Sequence, residues 1–515
     1  MTHANENAAL YFVDRHVDEG RAEKPAFIEG IGAARSLSYG ALSDLSGRMA
    51  ALYARHDIRR EDRVAMLVLD QIEFPVIFWG SLKAGVVPVA LNTLLSTQVY
   101  DTILRDSRAR ALIVSHDLLP VVEPLLADSP YLDAVFVIGG ETPEGCHDFT
   151  AELERSETAP PVGVSGAECA FWLYSSGSTG QPKGVRHVHA SLRATSDTYG
   201  AQVLGVAEED RVFSAAKMFF AYGLGNAMTF PMAVGATTLL LAGRPTPDAV
   251  LDIINRLKPT IFGGVPTLYA ATLEHIDSGK GRIDAPLRRC ISAGEALPEF
   301  IGTSWKKRTG CDILDGVGST EMLHIFLSNR ADDVVYGTSG VAVPGYELRL
   351  VDEHGQEVGT GEVGELLVQG DSAAQDYWNQ REKSRDTYEG RWTRTGDKYE
   401  RTAEGRYVYC GRTDDMFKVS GIWVSPFEVE QALTSHPAVL EAAVVAAQDE
   451  DGLQKPKAFV VLKSGADRDG LEEALKEVVK DRIGKWKYPR WIEIVEELPK
   501  TATGKIQRFR LRGEG

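Results

Sequence analysis

Within eleven residues, Tyr174-Ser175-Ser176-Gly177-Ser178-Thr179-Gly180-Gln181-Pro182-Lys183-Gly184, the chain collects what a polyphosphate-holding turn needs. The hydroxyls of Ser175, Ser176, Ser178 and Thr179 can meet phosphate oxygens. Gly177, Gly180 and Gly184 permit positive φ and let amides turn inward, and Lys183 adds a point charge. Ahead of the turn, Cys169 to Tyr174 reads as an apolar strand, so the loop would leave a sheet edge. A Walker A loop carries a glycine immediately before its lysine and a hydroxyl after it. Pro182 and Gly184 stand there instead, so a nucleotide would be held in another manner. A Gly/Ser surface loop is the bland alternative; the order of the whole stretch, rather than any four residues of it, argues against that.

Further polar segments follow at wide separations: Ser292-Ala293-Gly294-Glu295-Ala296, Gly316-Val317-Gly318-Ser319-Thr320-Glu321, Trp392-Thr393-Arg394-Thr395-Gly396-Asp397, Gly411-Arg412-Thr413-Asp414-Asp415 and Pro499-Lys500-Thr501-Ala502-Thr503-Gly504-Lys505. In type and order they resemble the signature segments of the adenylate-forming superfamily, which comprises acyl-CoA synthetases, adenylation domains of peptide synthetases, and luciferases. The resemblance runs from about Phe171 to Arg512.

That resemblance implies roles. Ser175, Ser176, Gly177, Ser178, Thr179, Gly180 and Lys183 would hold the β and γ phosphates of ATP. Thr320 and Glu321 would lie at the α-phosphate, with Glu321 a ligand of Mg²⁺, a hard cation suited to one carboxylate plus substrate phosphates. Ala293, Gly294, Glu295, Ala296, Asp315 and Gly316 would line the adenine and acyl sites. Val317 departs from the pattern, because most relatives carry an aromatic residue beside the adenine there. Asp397, expected in a loop after a Trp/Thr strand, would accept hydrogen bonds from the ribose, with Arg412 a cationic donor nearby. Lys505 would bridge carboxylate and phosphate during adenylation. The small domain would then rotate about Asp414, and Lys418, Gly421 and Trp423 would border the tunnel for the CoA thiol.

Two stretches bear on the acid that is activated. Phe220-Ala221-Tyr222 sets rings beside small residues, and His324-Ile325 lies three and four positions past Glu321; such rings could sandwich a flat substrate. Without a family context they read equally well as packing aromatics and a satisfied core histidine. With it, these residues and Phe417 to Pro426 look most like benzoate-CoA ligases among aryl-CoA ligases. The implied reaction consumes ATP, an aromatic carboxylate and coenzyme A. A stand-alone enzyme that loads an aryl group onto a carrier protein, and a non-catalytic acyl or nucleotide sensor, are the competing readings. The resemblance also leaves room for a homodimer and for a lysine acetyltransferase that removes the charge of Lys505.

To position these groups the chain must build more than one core, since 515 residues exceed an ordinary single domain. Short apolar runs alternate with helical patterns over the first four hundred residues: Arg63 to Leu69, then Glu73 to Lys83, then Val86 to Leu91. This predicts an α/β architecture of parallel-type sheets covered by helices. Alternating strands with Gly turns near Leu348 to Val351 and Gly364 to Gln369 predict a barrel-like subdomain. The turn at Gly411 to Asp415 divides residues 1–413 from a small, mobile α+β lid at 414–515 that carries the lysine loop.

Charge and cysteine usage exclude several classes. The formal net charge of -17 argues against nucleic acid or an anionic membrane as partner, while Lys476 to Arg512 is locally basic enough to suit phosphates. Five scattered cysteines without a Cys-x-x-Cys pair fit a reduced cytoplasm, and the first residues lack a secretion signal. Met218 to Gly243 holds no charged residue, yet Gly223, Gly225, Pro231 and Gly235 break it. A buried helix, a turn and the strand Ala236 to Ala242 are expected there rather than a membrane span.

Overall fold

The computed structural model describes residues 5–32, 34–176, 182–419, 422–450, 453–500 and 506–512. Gly177, Ser178, Thr179, Gly180, Gly421 and Lys505 therefore lie outside the described residues, as do the side chains of Ser176, Lys418 and Trp423. The chain forms two compact units. One joins Met1–Glu347 with Val368–Thr393, the other Leu348–Leu367 with Arg394–Gly515.

The first unit is built on two large sheets. In the eight-stranded sheet the order is Asp376–Tyr377, Pro182–Val188, Cys169–Ser176, Val87–Ala90, Arg63–Leu67, Ala111–Ser115, Ala134–Ile138, His147–Asp148. Strands from Cys169–Ser176 onward in that order run parallel, and the edge formed by Pro182–Val188 and Asp376–Tyr377 is antiparallel. Apart from the half-buried Arg63, the residues of the central strands are buried, which is why these strands read as apolar runs rather than as alternating ones. Helix Glu73–Ala84 ends where Gly85 turns left-handed at φ 71°, returning the chain to Val87–Ala90.

The nine-stranded sheet follows the order Val341–Ala342, Ile325–Ser328, Ile313–Gly318, Arg289–Ser292, Ile261–Gly264, Arg211–Ser214, Thr237–Leu240, Pro25–Glu29, Ser36–Ser38. Its interior pairs are parallel and its two ends antiparallel. The uncharged stretch from Met218 folds as the short helical turns Ala221–Leu224, Gly225–Thr229 and Phe230–Val234, is halted by Gly235 at φ 78°, and continues as Thr237–Leu240. No helix of the described residues is long and apolar enough to cross a membrane.

The second unit holds most of the residues of a five-stranded, curled, half-barrel sheet with strands Glu347–Val351, Val363–Gln369, Tyr388–Glu389, Trp392–Arg401 and Tyr407–Arg412. It also holds an α+β module, in which the sheet Val439–Gln448, Gln454–Leu462, Trp491–Ile494 is packed by helices Pro426–Thr434 and Leu471–Ile483. Val429, Leu433, Val444, Val460, Leu475 and Val479 form the core of that module. Ser425 caps the first of these helices by accepting from the Glu428 amide, so that the chain leaves the hairpin Phe417–Val419/Ile422–Val424 in a fixed direction.

Candidate active site

Strands Cys169–Ser176 and Pro182–Val188 pair antiparallel, with Ser175 opposite Lys183 and Tyr174 opposite Gly184, so the glycine-rich segment joins the ends of a hairpin. Tyr174 anchors the hairpin by donating from its hydroxyl to Asp106 Oδ2 at 2.6 Å. The Ser175 hydroxyl is buried and has no hydrogen-bond partner among the described residues. A buried hydroxyl left without a partner is costly unless a ligand oxygen satisfies it, and this one lies near the end of strand Cys169–Ser176.

Lys183 and Glu321 come together although 138 positions apart: Lys183 Nζ lies 3.9 Å from Glu321 Oε1. Tyr377 holds both. Its hydroxyl donates to Glu321 Oε1 at 2.7 Å and lies 3.5 Å from Lys183 Nζ, which also sits 4.5 Å above the tyrosine ring. Tyr377 is delivered by the short edge strand Asp376–Tyr377, which pairs with Pro182–Val188 and is locked by Arg186, whose guanidinium donates to both oxygens of Asp376 at 2.6 and 2.5 Å. The Ala374 amide donates to the Glu321 carbonyl at 2.7 Å, which fixes the backbone on the other side.

Thr320 is set by His187, on the same strand as Lys183. Its Nε2–H donates to the Thr320 carbonyl at 2.8 Å, and its ring stacks on Phe171 at 5.2 Å. Burial pushes the His187 imidazolium down to a pKa of about 4, so the ring is neutral and serves as a strut. One strand thus carries the lysine and the group that holds the segment bearing the glutamate. Sequence reasoning missed both Tyr377 and His187; a two-residue strand and a histidine in an apolar run give no local signal.

Ser292 and Asp315 stand opposite each other on the parallel strands Arg289–Ser292 and Ile313–Gly318. Beyond Ser292 the chain enters the bend at Gly294, whose φ of 94° favours glycine. Ala293 is buried, and Glu295 and Ala296 follow in the same connection. Burial pushes the Asp315 carboxyl well above the usual carboxylate range, and its Oδ2 accepts from the Leu297 amide at 3.4 Å. Gly316 pairs with Ser328, and a Cβ on it would meet Ile325 Cγ2 at 2.9 Å; Val317 pairs with Leu327 and is half-buried.

The aromatic residues also converge. His324 Nε2–H donates to the Tyr222 carbonyl at 3.2 Å, and its ring centroid lies 4.5, 5.2 and 5.8 Å from those of Phe230, Tyr199 and Tyr222. Burial lowers its pKa to about 3, and its Nδ1 has no hydrogen-bond partner among the described residues. The Tyr222 hydroxyl donates to the carbonyls of Gly264 and Ile291, both at 3.1 Å. Phe220 packs on Phe219 with centroids 4.4 Å apart, Ala221 opens the helical turn, and Ile325 begins the strand paired to Gly318. Asp70, another residue without a sequence signal, accepts the Met218 amide at 3.2 and 3.3 Å and so fixes the start of this segment.

In the second unit Asp397 lies inside the strand Trp392–Arg401, not in the loop expected after it, because a bulge after Lys398 and the left-handed Gly396 keep the strand running. Asp397 stands opposite Arg412, whose Nη1 donates to Asp397 Oδ1 at 3.0 Å and to the Thr395 carbonyl at 3.2 Å. Asp397 raises the Arg412 pKa further above its ordinary value. Asp414 is exposed in the turn after Arg412, and its carbonyl accepts from Arg512 at 3.3 Å.

The model for the AMP-binding enzyme family matches residues 13–378, and that for the AMP-binding enzyme C-terminal domain matches residues 428–505. The chain is 53% identical over 508 residues to a 4-hydroxybenzoate–CoA/benzoate–CoA ligase of Rhodopseudomonas palustris, covering 98% of this chain and 94% of that protein. It is 53% identical over 510 residues to a benzoate–CoA ligase of Thauera aromatica, covering 98% and 95%. Among solved structures, a benzoate CoA ligase from Burkholderia xenovorans LB400 superposes with a TM-score of 0.90 at 48% identity, over 99% of this chain and 100% of that one. The chain therefore belongs to the AMP-binding, adenylate-forming enzyme family.

Proposed function

We infer that the chain is an AMP-forming aryl-acid:CoA ligase that converts benzoate or a close analogue to its CoA thioester. The observation that carries this reading is the identity over nearly the whole chain to two benzoate–CoA ligases. The Lys183–Glu321–Tyr377 cluster and the aromatic walls around His324 support it.

In the first half-reaction an oxygen of the acid bonds to the α-phosphorus while the bond from that phosphorus to the β-phosphate bridging oxygen breaks, releasing pyrophosphate. Two anions must approach, so fixed cations and amides carry the rate. The Ser175 hydroxyl, the turn 176–180 and Lys183 bind the outer phosphates. Thr320 and Glu321 face the α-phosphate, and Lys505 comes between carboxylate and phosphate. Glu321 offers a hard, half-buried carboxylate oriented by Tyr377, a donor that fits Mg²⁺ held jointly with phosphate oxygens, and Mg²⁺ so bound supplies charge neutralisation. Asp397 and Arg412 hold the ribose, and the backbone at Gly294 to Ala296, Asp315 and Gly316 borders adenine and ring.

In the second half-reaction the CoA sulfur bonds to the acyl carbon, the acyl–oxygen bond to AMP breaks, and the thiol proton passes to solvent. Rotation of residues 414–515 about Asp414 removes Lys505 and brings Lys418, Gly421 and Trp423 to the acyl adenylate. Acetylation of Lys505 would remove the charge it uses and silence the first step alone.

The test is a panel of ring and chain carboxylates in ATP–pyrophosphate exchange, followed by thioester formation with free CoA or with a phosphopantetheinylated carrier. Exchange with benzoate and transfer to free CoA are expected. Transfer to the carrier alone would overturn the CoA ligase reading, and absence of exchange with any aryl acid would overturn the substrate class.

A further inference from the structure

We propose that His56, His147 and Glu152 form a binding site for a borderline divalent transition cation of the Zn²⁺ type, separate from the nucleotide site. One potential ligand atom from each residue lies within 4.8 Å of the others. They come from three segments: His56 follows helix Tyr39–Arg55, His147 begins the edge strand His147–Asp148, and Glu152 sits in helix Phe149–Glu154.

The arrangement is close to that of adjacent ligands on one ion. His56 Nε2 and Glu152 Oε2 are 3.3 Å apart. Two atoms bound tetrahedrally at about 2.0–2.1 Å from Zn²⁺ are separated by roughly 3.3 Å. Only His147 has to approach further, and its ring already lies 4.4 Å from that of His56. The Phe136 ring backs both imidazoles, at 4.8 Å from His56 and 5.4 Å from His147. His56 and Glu152 side chains keep 15% and 14% of their surface exposed, so an ion can enter while much of the surrounding water is displaced. Two imidazoles and one carboxylate select Zn²⁺, Co²⁺ or Ni²⁺ over Mg²⁺ or Ca²⁺, which prefer oxygen, with water completing the shell. Arg55 moderates the affinity, since it donates to Glu152 Oε2 at 2.9 Å and to the Glu152 carbonyl at 2.6 Å.

The location keeps this site out of the reaction. His147–Asp148 and Pro182–Val188 are six strand spacings apart in the eight-stranded sheet, roughly 29 Å at about 4.8 Å per strand. A bound ion would clasp the end of helix Tyr39–Arg55 to the edge strand and to helix Phe149–Glu154.

The full chain, stripped with chelator, should be titrated with Zn²⁺ against a chromophoric competitor, with and without millimolar Mg²⁺, and with Co²⁺ to read ligand-field bands. Wild type should bind Zn²⁺ unaffected by Mg²⁺, and His147→Ala and Glu152→Gln should each bind at least ten-fold more weakly while keeping the benzoate-dependent exchange rate. Arg55→Gln, which removes a competing cation but no ligand, should bind at least as tightly as wild type. Equal Zn²⁺ affinity in wild type and both ligand variants would overturn the proposal, as would no binding by wild type. So would a loss in Arg55→Gln as large as in the ligand variants, since that would trace the effect to disruption of this corner rather than to ligation.

Discussion

Replacing Tyr377 by Phe isolates one hydroxyl. The ring that faces Lys183 Nζ at 4.5 Å stays, as does its place on the edge strand, while the 2.7 Å hydrogen bond to Glu321 Oε1 is lost. A hydrogen bond to a charged group contributes about 1.5–3 kcal/mol. If that contribution is made to the adenylation transition state, the benzoate-dependent exchange rate falls by about 10- to 150-fold, at 1.36 kcal/mol per factor of ten. Because the hydroxyl orients the carboxylate assigned to Mg²⁺, the loss should shrink as Mg²⁺ is raised, and thiolysis of supplied benzoyl adenylate by CoA should stay within a few-fold of wild type. Both half-reactions and the melting temperature are to be measured together. An exchange rate within two-fold of wild type in a fully folded variant would refute the assignment of Tyr377 and Glu321 to the phosphate site. An equal fall in both half-reactions would refute their restriction to the first.

Gly225→Ala would place a Cβ 2.3 Å from His324 Cδ2 and should displace that ring, raising the KM for benzoate while leaving the KM for ATP near wild type; unchanged benzoate kinetics would separate His324 from the acyl pocket. Lys505→Ala should abolish ATP–pyrophosphate exchange yet leave thiolysis of supplied adenylate largely intact, and equal loss of both would refute that division. Asp414→Pro, by fixing φ at the turn, should slow thioester formation more than adenylation, and unaltered thiolysis would place the hinge elsewhere. His16, His187 and His189 are held by burial at about 4 and His324 at about 3, below the value near 6.5 of an exposed histidine. The unfolded chain therefore binds more protons between these values, so this contribution to stability is complete above pH 6.5 and is lost as pH falls toward 4. Asp70, raised by burial to about 6, and Asp106 and Asp315, also raised by burial, oppose it in part. The melting temperature should fall across that interval, less steeply in His187→Gln, and an unchanged slope there would show that His187 does not titrate on unfolding.

The strands of the parallel sheets were legible because burial on both faces leaves continuous apolar runs: Ala111 to Val114 and Ala134 to Ile138 appear within a residue of where the pattern sets them. The segments proposed to carry chemistry stand out in the sequence because phosphate-holding turns need unusual local composition. Neither signal reaches Tyr377, whose strand is two residues long and finds its partner about 190 positions away. Nor does either reach His187 or Asp70, whose work is done by contacts to distant backbone groups. Asp397 was misjudged as a loop residue because Gly396 looks like a strand terminator in one dimension, whereas pairing with Arg412 carries the strand through it.

The two buried histidines beside the candidate site suggest why its charge is concentrated on so few groups. An active site that joins two anions needs positive charge, and a protonated His187 or His324 would supply it at little structural cost. Both instead donate to main-chain carbonyls, Thr320 and Tyr222, from rings that burial keeps neutral. A charge that came and went near neutral pH would alter the field at the phosphates and shift the segments these rings brace. Keeping the struts neutral separates the two tasks: in the proposed function Lys183 meets the nucleotide with its charge, while the histidines carry geometry. The separation has a kinetic signature, since neither ring takes up a proton between about pH 5 and 8. Exchange activity across that range should lack a limb that disappears in His187→Gln, and such a limb would mean that the ring is charged in the working enzyme.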